Sequence, residues 1–159
     1  MCIMKILVFS DSHGVYDNME RVIRRETPDV LLYLGDGLRD CAAMEYLFPE
    51  LPVYKVCGNC DIMVPKDAPT ERELVLENIR IFFTHGHRYS VKTGLFEITQ
   101  EARNRKADIL LFGHTHEPLV RRGGVLWICN PGSISHMGRS TYAVIDLETT
   151  GIMVSLEEV

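Results

Sequence analysis

Histidine and aspartate residues are concentrated in five short segments of this sequence, and five of its six histidines lie in them. Two segments, Asp11-x-His13 and His114-x-His116, each set two metal-ligand side chains two residues apart. Because side chains two positions apart on an extended chain project to the same side, each pair can present both groups to one ion. The other three segments are Gly35-Asp36, Gly58-Asn59-Cys60-Asp61 and His85-Gly86-His87.

The residue types in these segments predict a particular metal chemistry. Imidazole and carboxylate groups bind zinc, manganese, iron or nickel without needing a thiolate. One such segment alone is more typical of a turn with a surface side chain, but five of them hold more donors than one ion requires. We therefore predict two divalent ions about 3.5 to 4 Å apart, bridged by a carboxylate. Such a pair would activate a bridging hydroxide and hold a phosphoryl oxygen, which is the chemistry of phosphoester hydrolysis.

Each of the five segments follows a run of apolar residues that is typical of a buried strand. Ligand sites in open α/β sheets lie at the carboxyl ends of the strands, so the five segments are expected to converge there. The apolar runs are residues 3–9, 30–34, 53–57, 79–83 and 109–112.

Helices and hairpins are predicted between and after these strands. Helical spacing of apolar residues indicates helices near residues 15–23, 42–47 and 95–102, and the resulting β-α-β-α-β order predicts a parallel sheet with right-handed crossovers. The second half is predicted to contain hairpins around Glu77-Asn78 and Gly123-Gly124, and a last hairpin from 141–146 and 152–156. We expect an α/β protein in which two mixed sheets face each other with helices outside, forming one domain over residues 1–159.

Composition limits the classes of function. The chain has 159 residues, 46% apolar and 25% charged, which fits one globular core and excludes general disorder. A formal net charge of -5 disfavours an extensive nucleic-acid surface but allows a local phosphate site. No apolar run is long enough to span a membrane, and the amino-terminal residues are typical of a strand rather than a signal peptide. We expect a cytoplasmic protein with a small phosphoester substrate, and a homo-oligomer is compatible with the sequence.

Five cysteines without a secretion signal argue against a disulfide framework. Cys57 and Cys60 form a C-x-x-C pair, which can be half of a zinc knuckle or a redox pair. No second close pair of cysteines is present, and Gly58-Asn59 favours a turn over the helix start of a redox motif. Unpaired thiols in buried or loop positions are therefore the favoured interpretation.

The five segments, in this order, resemble the signature of the calcineurin-like metallophosphoesterases. Asn130-Pro131-Gly132-Ser133 further resembles the small YfcE-like phosphodiesterase branch of that superfamily. The resemblance implies a four-layer α/β/β/α sandwich and a phosphodiesterase, with a phosphomonoesterase as the alternative. It also implies two divalent ions, with manganese expected first and nickel, cobalt, iron or zinc as alternatives.

The resemblance also implies which residues bind each ion. One ion would be held by Asp11, His13, Asp36 and His116. The other would be held by Asp36, Asn59, His85 and His114, so that Asp36 bridges the two ions. Asp36 and His114 are accordingly the expected catalytic residues, and Asn59 is also expected to contact the substrate.

The sequence departs from the superfamily pattern at Cys60. Many members have a histidine there, which contacts the substrate phosphate and can protonate the leaving group. Cys60 can take over that catalytic or substrate-binding role, or it can simply fill a turn. A third alternative follows from the softness of sulfur, because a thiolate at this position could bind zinc and block the site.

Four further residues, two within the segments and two after them, have alternative interpretations. His87 can orient His85, bind phosphate or be a solvated loop residue. Arg39 and Arg88 can contact phosphate or lie free on the surface, and Asp61 can support a ligand or close its turn.

A different class of function is a protein-interaction scaffold, the role of the retromer subunit that shares this fold. The metal-binding segments of that subunit are altered, whereas every ligand type is present here. Like charges buried together need a cation, so the sequence favours an enzyme.

Overall fold

The computed structural model of the protein describes residues 1–63, 68–135 and 138–159. Within these ranges the chain forms two five-stranded sheets. The first sheet has the order β10-β9-β1-β2-β3 and the second has the order β4-β5-β6-β8-β7. The strands of the first sheet are β1 (Cys2–Phe9), β2 (Val30–Tyr33), β3 (Val53–Lys55), β9 (Thr141–Glu148) and β10 (Gly151–Glu158). Those of the second sheet are β4 (Glu71–Leu76), β5 (Ile79–Thr84), β6 (Ile109–Leu111), β7 (Leu119–Gly123) and β8 (Leu126–Asn130).

Both sheets mix parallel and antiparallel pairs. β1, β2 and β3 are parallel to one another, as are β5, β6 and β8. Helices connect β1 to β2, β2 to β3 and β5 to β6; they are α1 (Asp17–Glu26), α2 (Leu38–Leu47) and α3 (Phe96–Asn104). A short 3-10 helix, His87–Tyr89, follows β5. The remaining strand pairs are antiparallel, namely three hairpins and the pairing of β1 with β9, which confirms the predicted α/β class with mixed sheets.

Alternation along the strands divides the core into three layers of side chains. On β1, Ile6 and Val8 pack between the two sheets, whereas Leu7 and Phe9 pack against α1 and α2 on the outer face. This division follows from the two-residue period of a strand, which sends successive side chains to opposite faces. On the second sheet, residues such as Phe82 pack on the outer face with α3. The result is the expected four-layer α/β/β/α sandwich.

The parallel strands bring the carboxyl ends of five strands to one end of the sandwich. In the first sheet, Phe9 pairs in register with Tyr33, and Tyr33 pairs with Lys55. In the second sheet, Phe83 pairs with Leu111. The segments that follow these positions therefore leave the two sheets side by side, and they are the five segments rich in histidine and aspartate.

Several strand ends differ by one or two residues from those expected, and two larger differences have a clear physical cause. The β7–β8 turn is formed by residues 124–125 rather than by Gly123-Gly124, because Gly123 still pairs with Leu126. This register buries Leu126 and leaves Val125 exposed, which is the outcome that the apolar face of a strand requires. Helix α2 begins at Leu38, four residues before its predicted start, because the backbone amides of Gly37 and Leu38 at its start are bound by Asp61.

In the parts of the chain that the structure describes, no helix combines the length and the apolar character needed to cross a membrane. All five cysteines are unpaired thiols.

Candidate metal centre

The convergent segments bring six of the seven predicted metal ligands into two adjacent groups. The ligand atoms within each group lie within 4.8 Å of one another. The first group is Asp11, His13 and His116, and the second group is Asp36, His85 and His114. These two groups coincide with the division of ligands that the family resemblance implies, except for Asn59 and for the sharing of Asp36.

Asp11 is fully buried, and the protein satisfies only one of its two carboxylate oxygens. Oδ2 accepts a hydrogen bond of 2.5 Å from the Ser10 hydroxyl and one of 3.1 Å from the amide of His114. Oδ1 has no hydrogen-bond partner among the described residues. Its neighbours are the Nε2 atoms of three imidazoles, at 3.2 Å for His116, 3.6 Å for His13 and 3.7 Å for His85. A buried carboxylate oxygen without a donor is costly unless a cation occupies the space before it.

His13 and His116 also face each other through ring nitrogens. Their Nε2 atoms are 3.2 Å apart. Two nitrogens bound to one ion at about 2.1 Å each would lie roughly 3.0 to 3.4 Å apart, depending on the coordination angle. The spacing of this pair, with Asp11 Oδ1 beside it, is therefore that of three ligands ready to share an ion.

His85 is held in the orientation that a metal ligand requires. It is completely buried, and its Nδ1 lies 2.8 Å from the carbonyl oxygen of Leu34, to which it can donate. That bond directs Nε2 into the cluster, where it lacks a hydrogen-bond partner among the described residues. The carboxylate of Asp36 lies 3.2 Å from Nε2. A backbone carbonyl that fixes the tautomer of a histidine in this way is a common support of metal-binding imidazoles.

Asp36 lies between the two groups. Its Oδ1 accepts a 2.7 Å hydrogen bond from the amide of Cys60. Its Oδ2 faces His85 of the second group at 3.2 Å and His13 of the first group at 3.8 Å. Asp36 therefore approaches ligands of both groups, as does Asp11, whose Oδ1 lies 3.7 Å from His85 of the second group.

The pKa shifts show how strongly the cluster attracts positive charge. Burial raises the pKa of Asp36, but contact with His85 and with the Cys60 amide outweighs burial and holds the pKa well below its usual range. Burial lowers the pKa of His85, yet Asp36 and Asp11 outweigh it and the net pKa is raised. Burial, followed by repulsion from His85, lowers the pKa of His114. The Asp36 carboxylate thus remains charged and favours a cation next to it.

The backbone is strained at five of the predicted ligands, which is unusual for residues other than glycine. The φ angles are positive at Asp11 (56°), His13 (46°), Asp36 (60°), His114 (69°) and His116 (62°). Residues in this left-handed region are destabilising and are concentrated at functional sites, where the surroundings hold them in place. The strain supports the interpretation of these segments as a functional site.

Two glycines are required by the close packing of the segments. A Cβ atom at Gly58 would lie 2.1 Å from Oδ1 of Asp36, and one at Gly113 would lie 2.0 Å from the hydroxyl of Ser10. The first contact is with the predicted ligand Asp36 itself, and the second is with the hydroxyl group that binds Asp11. A side chain at either glycine would therefore displace Asp36 or Asp11.

Asp61 binds four backbone amides and thereby joins two of the segments. Its Oδ2 accepts from the amides of Asp36 at 2.8 Å and Gly58 at 2.7 Å. Its Oδ1 accepts from the amides of Gly37 at 2.9 Å and Leu38 at 3.0 Å. Of the two interpretations of Asp61, support of a ligand is the one that fits, because these bonds fix the turn that carries Asp36 and the start of α2.

Three residues that the sequence did not single out hold the segment around His13. The Ser12 hydroxyl lies 2.5 Å from Oδ2 of Asp40 and 2.7 Å from the hydroxyl of Tyr33. Asp40 also accepts a 2.8 Å bond from the amide of Gly14. Asp40 and Tyr33 are buried, and their hydrogen bonds hold Ser12 and Gly14, the residues before and after His13. Asp40 precedes the helix that the sequence predicts at 42–47, so no sequence pattern signalled its role.

The Asn130-Pro131-Gly132-Ser133 segment supports the remaining ligand segments. The Asn130 amide donates to the carbonyl of Gly113 at 3.1 Å and to the hydroxyl of Thr115 at 2.9 Å. The Ser133 hydroxyl donates to the carbonyl of Asp11 at 2.7 Å. This segment therefore ties the end of β8 to the segments that carry Asp11, His114 and His116.

The other predicted site residues lie around the cluster. Asn59 is exposed, and its Nδ2 lies 3.4 Å from the Cys60 sulfur. His87 is partly buried, with its ring centroid 5.4 Å from that of His85 and 6.1 Å from that of His114. Its Nδ1 is buried without a hydrogen-bond partner among the described residues. Arg39 and Arg88 are exposed, and Arg39 lines a cavity beside the cluster.

Two cavities open on either side of His13. The Ser133 cavity has a volume of 520 Å³ and is lined by His13, His116, Glu117, Pro118, Ser133, Ser135 and Arg139. The α2 cavity has a volume of 690 Å³ and lies between the first turn of α2 and the segment after β3. Its walls combine the polar residues His13, Asp36, Arg39 and Cys60 with apolar ones such as Leu38, Val56 and Ile62.

The residues present fit divalent metal ions. The cluster combines imidazole nitrogens with carboxylate oxygens, and two of its buried polar atoms, Asp11 Oδ1 and His85 Nε2, point into it without a partner in the described part of the chain. This donor set suits manganese, iron, nickel, cobalt or zinc.

Comparison with known proteins places the chain in a family. The model of the calcineurin-like phosphoesterase superfamily domain matches residues 4–150. The probable metallophosphoesterase YsnB of Bacillus subtilis (strain 168) is 32% identical over 159 residues, covering 95% of this chain and 89% of YsnB. The phosphodiesterase YfcE of Escherichia coli (strain K12) is 32% identical over 155 residues, covering 83% of this chain and 80% of YfcE.

A solved structure agrees with these matches. A conserved uncharacterized protein of Streptococcus pneumoniae TIGR4 superposes with a TM-score of 0.81 at 27% identity, covering 98% of this chain and 89% of the other. The chain therefore belongs to the calcineurin-like phosphoesterase superfamily. This confirms the family resemblance and the fold, and it places the protein among metallophosphoesterases.

We expect Asp61→Asn to destabilise the protein markedly. The substitution turns one acceptor oxygen into an NH₂ group that faces two backbone amides, and bonds to a charged group contribute roughly 1.5 to 3 kcal/mol each. A loss of about 2 to 4 kcal/mol in the free energy of unfolding in urea, measured without metal, is expected from these values.

Asp17→Asn is the matched control for this substitution. Asp17 is an exposed acid in the first turn of α1, and loss of such a charge changes stability by about 0.3 to 1 kcal/mol. An Asp61→Asn effect as small as that of Asp17→Asn would show that the four amide contacts do not hold the segment.

Proposed function

We propose that this chain is a divalent-metal-dependent phosphodiesterase that hydrolyses small phosphodiesters. The observation that carries the proposal is the buried Oδ1 of Asp11, which has no hydrogen-bond donor among residues 1–63, 68–135 and 138–159 and faces three imidazole nitrogens. Membership of the calcineurin-like phosphoesterase superfamily and similarity to the phosphodiesterase YfcE support the reaction class.

Two metal ions are assigned to the cluster in this proposal. Asp36 would be shared between them, which its position between the two groups supports. The first ion would be held by Asp11, His13, Asp36 and His116, and the second by Asp36, Asn59, His85 and His114. When bound, such a pair supplies Lewis-acid activation of water and of the phosphoryl group. Manganese is the proposed ion, with nickel, cobalt, iron and zinc as alternatives.

The two cavities favour a diester over a monoester. His13 lines both of them, so they meet at the cluster. A phosphodiester carries two alcohol groups, and a phosphorus atom held at the cluster could direct one into each cavity. A monoester would leave one cavity unfilled. The volumes of 520 and 690 Å³ suit small organic groups.

Residues of the chain would bind and orient the substrate. His114 and Asp36 belong to the second group of ligands, and they would act on the phosphoryl group by holding a cation that neutralises its charge. The partly buried His87 lies beside His85 and His114, and its unpartnered Nδ1 could hold a phosphoryl oxygen. Arg39 lines the α2 cavity and would attract the anionic substrate.

Cys60 is proposed to act on the leaving group. It is exposed, it lines the α2 cavity, and its amide is bonded to Asp36. A thiol in this place can donate its proton to the departing alcohol oxygen, and Asn59 next to it can contact the same oxygen. We further propose that residues 1–159 act as one domain, in the cytoplasm, with a homo-oligomer compatible with the surface.

We expect Asp36→Asn to lower turnover of bis(4-nitrophenyl) phosphate, with manganese present, by at least about 100-fold, because even groups that only support metal ligands contribute 10- to 100-fold. The amide keeps the shape of the side chain but removes the charge between the two groups. Equilibrium dialysis should show fewer than two manganese ions per chain in this variant. Asp17→Asn is the control for an exposed aspartate and should retain wild-type turnover.

Two tightly bound ions and normal turnover in Asp36→Asn would contradict the shared position of Asp36. Wild-type protein that binds two ions yet hydrolyses no diester of a broad panel would instead favour an interaction scaffold on this fold.

We expect Cys60→Ser to slow an alkyl phosphodiester more than a nitrophenyl phosphodiester. An alkoxide is a poor leaving group and needs a proton, whereas nitrophenolate leaves readily without one. The measurement is the ratio of kcat/KM for the two diesters in wild type and variant, which cancels changes in metal content. An unchanged ratio would limit Cys60 to a structural role in its turn.

A further inference from the structure

Cys60 belongs to a third group of possible metal ligands beside the two already described. The Cys60 sulfur, a ring nitrogen of His13 and a carboxylate oxygen of Asp36 lie within 4.8 Å of one another. This group takes one member from each of the other two groups and adds a thiol. Among the described residues that form such groups, Cys60 is the one cysteine.

The backbone fixes Cys60 next to Asp36. Its amide donates a 2.7 Å hydrogen bond to Oδ1 of Asp36, which keeps the backbone of Cys60 beside that carboxylate. The sulfur has a weak contact of 3.4 Å with the Asn59 amide. Cys60 is exposed, and all three members of the group line the α2 cavity. An ion from solvent can therefore reach the sulfur.

The chemistry of the group favours a softer ion than the neighbouring groups do. A thiolate binds zinc or cadmium in preference to manganese, which favours oxygen ligands. In a tetrahedral zinc site, zinc–sulfur and zinc–nitrogen bonds of about 2.3 and 2.1 Å place the sulfur and the nitrogen roughly 3.6 Å apart. The Cys60 sulfur and the His13 nitrogen lie within 4.8 Å of each other, so rotation of the exposed Cys60 side chain can bring them to this separation.

We propose that Cys60, His13 and Asp36 form an alternative site for one thiophilic divalent ion, such as zinc or cadmium. Its occupation competes with the two-ion arrangement, because it takes His13 from the group of Asp11 and Asp36 from the group of His85. The site makes the metal centre sensitive to soft ions. Such an ion binds at this third site rather than at either of the two positions proposed for manganese. This inference concerns metal binding and holds whether or not the chain hydrolyses diesters.

The test is a cadmium chloride titration of metal-free protein, followed by the ultraviolet sulfur-to-cadmium charge-transfer absorption. Wild type should develop this band and saturate at one cadmium ion per chain. Cys60→Ser should lose it, whereas Cys2→Ser, which removes another exposed thiol, should keep it. Excess manganese should shift the wild-type titration to higher cadmium concentrations. A band unchanged in Cys60→Ser, or one that manganese does not shift, would overturn the proposal.

A second measurement needs no variant. Iodoacetamide labelling of wild type, mapped by mass spectrometry, should show that cadmium protects Cys60 while the exposed Cys2 remains reactive. Equal labelling of Cys60 with and without saturating cadmium would contradict coordination by its sulfur, even if Cys60→Ser proved too unstable to study.

Discussion

The architecture of the site depends on the buried carboxylate of Asp11, of which one oxygen has no hydrogen-bond partner in the described part of the chain. The Ser10 hydroxyl and the amide of His114 donate hydrogen bonds to Oδ2. These bonds orient Oδ1 towards a cluster of imidazoles, where no described residue donates a hydrogen bond to it. An isolated charge in such a place is strongly unfavourable. The site therefore requires a positive charge near Oδ1. His13, His85 and His116 surround the position that this charge would take.

The two sheets provide the rigidity that this arrangement needs. Parallel strands set the segments that carry Asp11 and Asp36 side by side, and the second sheet brings in His85 and His114 from across the core. Hydrogen bonds from Asp61, together with the Asp40 and Asn130 contacts, then hold backbone conformations that are unfavourable by themselves. The strain is tolerated because three buried apolar layers stabilise the strands from which the segments emerge.

Much of this organisation was predictable from the sequence, since buried strands followed by histidine or aspartate specify both the elements and their shared edge. The β7–β8 register could not be predicted in the same way. The position of its turn depends on whether Val125 or Leu126 faces the core, and the local sequence does not decide this. The role of Asp40 was also hidden, as an acid on a helix is usually solvated and here it is buried only by the fold of residues 12–14. The cavities on either side of His13 arise from segments distant in sequence, and no local pattern encodes them.

The most direct test of a cation at Asp11 is anomalous diffraction from crystals of the protein soaked in manganese. Two peaks are predicted in the cluster, one within bonding distance of Asp11 Oδ1 and His116 Nε2 and the other within bonding distance of His85 Nε2, with Asp36 between them. Absence of any peak beside Asp11 Oδ1 at saturating manganese, with a water molecule or a protonated histidine satisfying that oxygen instead, would contradict the metal centre.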